Sequence, residues 1–220
     1  MLLNKKKTSK ANQKRNLIAY SHHDSIIAEN FRGIRTNIGF LKGKEKKSIF
    51  LITSPKTGEG KSTVAANLAV SMAQQKEKVL LIDANLRDPM QQFIFRTPNS
   101  EGLTEVLLGK TGFSDAVYQT EIGRLDILPS GALPNNPTEL IGSDLMGEFL
   151  LDRLQEYDVI LLDSPGVLEV SDAKILAGKC DGVILVVGEG KTEVNKVIES
   201  KRDLEFVKAN IMGVIVNELK

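Results

Sequence analysis

One ten-residue stretch, SPKTGEGKST at residues 54–63, constrains this chain more than any other, because it lies between an apolar run and an amphipathic run. An apolar strand, a glycine-rich turn, Lys-Ser-Thr and a helix, in that order, build a phosphate-binding loop. The usual pattern, G-x-x-x-x-G-K-[ST], has a glycine where this chain has Pro55, but the phosphate-facing end is complete. The sequence therefore predicts a loop that binds the phosphates of a nucleotide.

The residues of this loop suit that task for separate physical reasons. Gly58 and Gly60 have no Cβ, so backbone amides can approach a phosphate, and the helix that follows adds free N–H groups. Lys61 supplies a positive charge for the β- and γ-phosphates, and Ser62 offers a hydroxyl to Mg²⁺. Lys56 is either the signature lysine of deviant phosphate loops or a solvated residue. We expect the nucleotide to be bound by Thr57, Gly58, Glu59, Gly60, Lys61, Ser62 and Thr63.

Two carboxylates follow apolar runs downstream of the loop. VLLID ends at Asp83 and VILLD ends at Asp163, and the carboxyl ends of parallel strands are where ligands bind in such sheets. We expect both to hold Mg²⁺, with Asp163 acting as the Walker-B acid through water. Asp83 would contact the metal or accept a proton from an attacking hydroxyl. Arg87 either contacts phosphate or pairs with Asp88, and the sequence does not decide between these.

Continuous apolar runs, rather than alternating ones, predict strands that are buried on both faces, and therefore a mostly parallel sheet. The expected fold class is α/β: a doubly wound P-loop domain over residues 25–220, which begins with a helix. Residues 1–24 are expected to be a basic flexible tail. The predicted strands are 48–53, 78–83, 125–130, 157–163, 182–187 and 211–216, and the predicted helices are 25–41, 62–75, 145–155, 173–179 and 194–207. Residues 84–124 and 130–143 are expected to be irregular, and such loops usually carry function on a fold of this kind.

Composition and charge exclude several classes of protein. The formal net charge is +1, which gives no general attraction to nucleic acid, and no apolar run approaches the length of a membrane span. The single cysteine, Cys180, excludes a disulfide framework and fits a reducing cytoplasm. The first fifteen residues carry lysines and one arginine without an acid. They form either a solvated tail or a segment attracted to an anionic membrane face or an acidic partner.

The combination of SPKTGEGKST, VLLIDANLRDP, PNNPTELIGS and VILLDSPG resembles a known family. This family is the cytoplasmic bacterial tyrosine kinases of capsule and exopolysaccharide operons, especially the separate-chain type of Gram-positive bacteria. The phosphate loop and VLLIDANLRDP are similar also to septum-site and chromosome-partitioning ATPases. AENFRGIRTNI at 28–38 and PNNPTELIGS at 134–143 narrow the resemblance to the kinases. The likeness runs from about residue 25 to Asn217.

The resemblance implies an activity, partners and further site residues. Members of the family transfer the γ-phosphate of Mg·ATP to protein tyrosines, and a membrane-bound modulator, a polysaccharide co-polymerase, activates them through its cytoplasmic tail. The protein would therefore be cytoplasmic and recruited to the inner face of the cell membrane. Glu29, Arg32 and Arg35 match the family's E-x-x-R-x-x-R element, which builds a ring of subunits. Asn217 matches the asparagine that is placed to read the adenine edge.

Three departures from the family pattern bear on activity. Asn85 stands where the family has a second aspartate, and it would hold Mg²⁺ less well and accept no proton. Gly166 stands where the family has a second proline, which we expect to loosen the loop after Asp163. The three tyrosines lie outside a C-terminal cluster, so we expect no self-phosphorylation there; Tyr157 is expected in the core and Tyr20 in the flexible region is the remaining intramolecular candidate.

These departures leave two alternatives to an active kinase. One is a weakly active or inactive nucleotide-binding scaffold that assembles through the Glu29–Arg35 helix and regulates its membrane partner. The other is an ATPase of the ParA/MinD type, which has less support because it leaves AENFRGIRTNI unexplained.

Overall fold

The computed structural model describes residues 17–42 and 47–218. Its centre is a seven-stranded sheet in the order β3-β4-β2-β5-β1-β6-β7, in which only the β3–β4 pair is antiparallel. The strands are β1 (Ser48–Thr53), β2 (Val79–Asp83), β3 (Tyr118–Gln119), β4 (Leu125–Leu128), β5 (Val159–Asp163), β6 (Gly182–Gly188) and β7 (Ile211–Asn217).

Helices cover both faces of this sheet, which confirms the predicted doubly wound α/β class. Those in the first half of the chain are α1 (Ile18–Ser21), α2 (Ile26–Lys42), α3 (Lys61–Gln74), α4 (Gln91–Phe95) and α5 (Leu103–Leu107). The others are α6 (Phe113–Ala116), α7 (Pro137–Gly142), α8 (Asp144–Glu156), α9 (Asp172–Ala177) and α10 (Val194–Phe206).

The central strands are buried at every position, as their continuous apolar sequences require. β1, β2, β5 and β6 have only buried residues. Alternate strand residues supply two apolar cores, one beneath α2 and α3 and the other beneath α8 and α9. Tyr157 is 3% exposed and donates a hydrogen bond to Asp126 (2.8 Å), so its predicted place in the core is confirmed. This packing fixes the carboxyl ends of β1, β2 and β5 beside one another.

The N-terminal part of the described chain packs against α3. Leu17 and Ala19 are buried, and the backbone N–H of Ala19 donates to the side-chain oxygen of Asn67 at 2.9 Å. The prediction of a flexible tail up to residue 24 is therefore wrong for residues 17–21, where two apolar side chains and a hydrogen bond hold α1. Tyr20, 38% exposed, lies in this helix. Residues 1–16, which carry the basic run, lie outside the described residues.

No helix in the described ranges is both long enough and apolar enough to cross a membrane. The predicted strands differ from the observed ones by a few residues at their ends. The larger difference is in segments 84–124 and 130–143, predicted to be irregular, which contain the strand β3 and the helices α4 to α7. One of these helices, α4, contacts the site described next.

Candidate active site

The loop of residues 54–60 joins the end of β1 to the start of α3, as the sequence predicts. Gly58 and Gly60 have φ angles of 81° and 82°, a left-handed conformation that favours glycine. Gly60 is the N-cap of α3, and Lys61 and Ser62 occupy the first turn with 6% and 9% of their surface exposed. Backbone N–H groups and a buried ammonium therefore converge at one helix start, which is the arrangement that binds phosphate.

The end of β7 and the loop after β6 contact the backbone of this phosphate loop. Asn217 donates from Nδ2 to the carbonyl oxygen of Glu59 at 3.1 Å, and Lys191 donates from Nζ to that of Gly58 at 2.8 Å. Burial raises the pKa of Glu59, while a hydrogen bond from Thr192 acts in the opposite direction. The structure thus brings Asn217 to the loop, and it adds Lys191 and Thr192, which no sequence pattern indicated.

The two acids lie side by side. Asp83 and Asp163 are register partners at the ends of the paired strands β2 and β5, and both are fully buried. The backbone N–H groups of Met90 and Gln91 both donate to Asp83 Oδ2 at 2.8 Å, and that of Asn85 donates to Oδ1 at 3.2 Å. Asp83 and Asp163 therefore lie close together, as the sequence predicts, and backbone amides fix the Asp83 carboxylate.

Burial dominates the electrostatics of this pair. It raises the pKa of Asp83 well above the usual range, and the negative charge of Asp163 raises it further. Burial also raises the pKa of Asp163, against the opposing effects of the Lys61 ammonium and of hydrogen bonds from Ser62 and Gln91. Two buried carboxylates with one nearby ammonium leave unbalanced negative charge, so the site favours a cation.

The donor set fits Mg²⁺. Asp163 Oδ1 is buried and, within the described ranges, has no hydrogen-bond partner, although a carboxylate oxygen in such a position normally has one. The Ser62 hydroxyl lies close to the Asp163 carboxylate group. Magnesium is commonly held by one or two carboxylates together with waters and substrate phosphates, so it does not need a cage of three acids. Among the described residues no group of three or more acidic, histidine or cysteine side chains forms such a cage.

Asn85 is held by the backbone of the same loop. Its Nδ2 donates to the carbonyl oxygen of Asp88 at 2.8 Å, and its Oδ1 accepts from the backbone N–H of Asp88 at 3.2 Å. Both ends of the amide are therefore in use, and the residue is 3% exposed. An aspartate could make only the second of these hydrogen bonds, so asparagine fits this closed loop better than the acid of the family pattern.

The loop after Asp163 packs closely against the phosphate loop at Gly166, and the loosening expected from this glycine stays a prediction. The backbone N–H of Val167 donates to the carbonyl oxygen of Ser54 at 2.8 Å, which ties this loop to the start of the phosphate loop. A Cβ at Gly166 would lie 3.0 Å from the Cα of Lys56, closer than side-chain atoms normally approach backbone. The glycine therefore permits a close contact between the two loops. Lys56 itself is exposed.

Arg87 pairs with Asp172 rather than with Asp88, and a contact between Arg87 and phosphate stays a prediction. Its Nε donates to Asp172 Oδ2 at 2.8 Å and its Nη2 to Asp172 Oδ1 at 3.1 Å, while Thr138 donates to the same carboxylate at 2.7 Å. Burial alone would raise the pKa of Asp172, but these hydrogen bonds lower it below its usual value. The contact joins the loop after β2 to α7 and α9.

Replacing Arg87 by methionine should destabilise the protein by about 2 kcal/mol, because it leaves the buried Asp172 carboxylate without its cation. Because the pKa of Asp172 is lowered in the folded protein, its ionised carboxylate stabilises the fold at neutral pH, and this stabilisation is lost as the pH falls. The difference between parent and variant in urea unfolding should therefore shrink under acidic conditions. Lys174→Met, which breaks the partly exposed pair with Asp203, is the matched control and should cost less than about 1 kcal/mol. Equal losses at both pairs would contradict this account.

The three residues predicted to form a subunit interface have different surroundings. Glu29 and Arg32 form an ion pair on the surface of α2, and Arg32 also donates to the carbonyl oxygen of His23 at 2.9 Å. Arg35 donates instead to the backbone and hydroxyl oxygens of Ser71 on α3. An interface built from these residues stays a prediction, and two of the three side chains are presented to solvent as it requires.

The geometry defines a P-loop nucleotide-binding domain, and comparison with known proteins narrows the class. A family model described as "AAA domain" matches residues 47–213. The tyrosine-protein kinase YwqD of Bacillus subtilis (strain 168) is 43% identical over 220 residues, which span 100% of this chain and 92% of that protein. The chain belongs to the family of bacterial tyrosine-protein kinases that carry this domain.

Solved structures agree with this assignment. The crystal structure of the chimerical protein CapA2B2 matches with a TM-score of 0.89 and 38% identity, over 93% of this chain and 90% of that chain. The kinase domain of the Escherichia coli tyrosine kinase ETK matches with a TM-score of 0.89 and 32% identity, over 92% and 80% of the two chains. The septum site-determining protein MinD of Pyrococcus horikoshii, complexed with Mg-ADP, has a TM-score of 0.65 at 29% identity, over 78% and 70%.

Proposed function

We propose that this protein is a protein-tyrosine kinase that transfers the γ-phosphate of ATP to tyrosine hydroxyls in a magnesium-dependent reaction. The observation that carries the proposal is the convergence of Lys61, Asp83 and Asp163 at one end of the sheet, in a chain 43% identical to a named tyrosine-protein kinase over its whole length. Phosphoryl transfer requires mainly positioning and charge stabilisation, and this site offers both.

Each residue of the site has a proposed task. The loop from Thr57 to Thr63 binds the phosphates through its backbone N–H groups, and Lys61 neutralises charge on the transferred group. Ser62 and Asp163 hold Mg²⁺, which would neutralise phosphate charge when bound. Asp83 completes the cation site or accepts the proton of the attacking tyrosine. Asn217, which already contacts the loop backbone at Glu59, reads the adenine edge.

Partners and location follow from the same proposal. The substrates are tyrosines of other proteins in polysaccharide export, and the activator is the cytoplasmic tail of a membrane-bound co-polymerase. The protein acts in the cytoplasm and is recruited to the inner membrane face by that tail. Copies assemble through the α2 surface that carries Glu29 and Arg32, which is exposed in the single chain. Nucleic acid is not among the proposed partners.

The test is transfer of label from γ-labelled ATP. The purified protein is incubated with Mg²⁺, the modulator tail and a tyrosine-containing protein substrate, and phosphotyrosine is measured after acid hydrolysis. Label on tyrosine supports the kinase. Nucleotide binding without transfer supports the second candidate, a nucleotide-dependent scaffold, which the closed hydrogen bonds of Asn85 favour. Release of inorganic phosphate without labelled tyrosine would instead indicate an ATPase.

The substitution Asn85→Asp separates these candidates further. An added carboxylate beside the cation site should raise the rate of phosphotyrosine formation about tenfold at limiting Mg²⁺, the scale on which neighbouring ligands alter metal sites. It should also lower the stability of the nucleotide-free protein by about 1 kcal/mol, because the carbonyl oxygen of Asp88 loses its donor. Initial rates across a magnesium series and urea unfolding measure the two effects. An unchanged rate would show that Asn85 does not limit activity.

A further inference from the structure

One glutamine contacts every part of the site that would hold a cation. Gln91, the first residue of α4, is fully buried. Its side-chain Nε2 donates to Asp163 Oδ2 at 2.8 Å and to the carbonyl oxygen of Ser62 at 3.1 Å. Its backbone N–H donates to Asp83 Oδ2 at 2.8 Å. The same residue therefore joins the end of β2, the end of β5 and the first turn of α3.

These contacts fix the orientation of the Asp163 carboxylate. The amide of Gln91 occupies Oδ2, so the carboxylate cannot rotate without breaking a buried hydrogen bond. Oδ1 is then the oxygen left over, and it is buried without a partner within the described ranges. Asp163 has little freedom to choose another rotamer because the strand residues around it are completely buried.

The side-chain oxygen of Gln91 also lacks a hydrogen-bond partner, as Asp163 Oδ1 does. This atom, Oε1, is buried and, in the described part of the chain, has no hydrogen-bond donor. A buried amide oxygen normally accepts a hydrogen bond, so a donor is expected to come from outside the chain. Water carried by a bound Mg²⁺ is such a donor, because magnesium keeps several of its waters in proteins.

We infer that Gln91 is a positioning residue for the cation site: its amide N–H group holds Asp163 in the orientation that presents Oδ1, and its Oε1 accepts a hydrogen bond from cation-bound water. The inference rests on the proposed function only in taking this site to bind Mg²⁺ with a nucleotide. It assigns to α4 a task that the sequence did not indicate, since α4 lies in a segment predicted to be irregular.

The neighbouring residue supplies a matched control. Gln92 is also buried, at 9% exposure, and also belongs to α4. Its Nε2 donates to the carbonyl oxygen of Pro89 at 3.2 Å, and its Oε1 has no partner in the described residues. Within those residues, Gln92 makes no hydrogen bond to either acid. Gln91→Met and Gln92→Met therefore remove the same group from adjacent positions, only one of which touches Asp163.

The experiment measures binding of a fluorescent ADP analogue during titration with Mg²⁺, so it needs no catalytic turnover. Gln91→Met should raise the magnesium concentration at half-maximal effect about tenfold, and the affinity measured in EDTA should stay that of the parent. Gln92→Met should match the parent in both. Gln91→Glu keeps the size and the backbone contact to Asp83 but loses the amide donor, so it should be impaired at least as much as Gln91→Met. Thermal unfolding of each variant reports whether it is folded.

The outcomes separate this inference from the function on which it rests. Normal magnesium dependence in Gln91→Met and Gln91→Glu, in a parent that shows the dependence, overturns the role of Gln91 alone. Equal shifts in Gln91→Met and Gln92→Met also overturn it, because they indicate a general loosening of α4. A parent whose binding does not respond to Mg²⁺ overturns both the inference and the proposed cation site.

Discussion

Replacing Asp163 by asparagine should reduce phosphotransfer at least about 100-fold and remove the magnesium dependence of nucleotide binding. Asparagine has nearly the shape of aspartate, and its Oδ1 can still accept the hydrogen bond from Gln91 that Asp163 accepts at 2.8 Å. Only the negative charge and one potential cation ligand are lost. A large loss of activity would therefore report on the charge rather than on the packing.

The stability of this variant supplies an independent check. Because burial raises the pKa of Asp163, ionisation of this group costs stability as the pH rises through that pKa. The nucleotide-free Asp163→Asn protein should thus unfold at the parent's temperature or above it. The difference in unfolding temperature between variant and parent should grow from acidic to mildly alkaline pH. Asp126→Asn, which alters a strand acid bonded to Tyr157, should keep normal transfer. Destabilisation of Asp163→Asn with unchanged transfer would contradict the assignment.

The second large effect is expected at Lys61. Lys61→Met keeps most of the buried aliphatic chain of a residue that is 6% exposed, and it removes the ammonium that opposes the charge of Asp163. Loss of one positively charged group at a developing phosphate charge typically costs about 100- to 1,000-fold in rate. We expect a decrease of that size in phosphotyrosine formation at saturating ATP.

A lysine elsewhere on the surface tests whether the effect is local. Lys47 donates hydrogen bonds to the carbonyl oxygens of Leu154 and Gln155 near the end of α8, far along the sheet from the phosphate loop. Lys47→Met should leave the rate within about twofold of the parent, since surface contacts of this kind contribute little. Comparable activity in Lys61→Met and Lys47→Met would remove Lys61 from the proposed site.

The fold was predictable from the sequence where buried residues follow one another as continuous apolar runs. The strands around the site are continuous apolar runs, and Asp83 and Asp163 end two of them, so their meeting at one sheet edge followed from parallel pairing. The short helices α4 to α7 were not predictable in this way. α5, for example, depends on Glu105, which accepts hydrogen bonds from the backbone N–H groups of Gly102 and Ala132. Such contacts have no local periodicity.

The same distinction applies to the site. The phosphate loop and the two acids have fixed spacing to neighbouring elements, so the sequence indicated them. Gln91 has no such signal, because its side chain contacts Ser62 and Asp163, which lie far from it in sequence. The contacts of Arg87 and Gly166 were not predictable for a related reason. Each acts through a residue far away in sequence, Asp172 in one case and Lys56 in the other.

Isothermal titration calorimetry of the nucleotide-free protein with ADP, in the presence of Mg²⁺ and then of EDTA, tests the central claim most directly. A phosphate loop, one ammonium group and two paired acids should bind the nucleotide at least about tenfold more tightly with the cation than without it. The Lys61→Met protein should show little or no heat of binding. Absence of magnesium-dependent heat in the parent, with Lys61→Met behaving identically, would contradict the account.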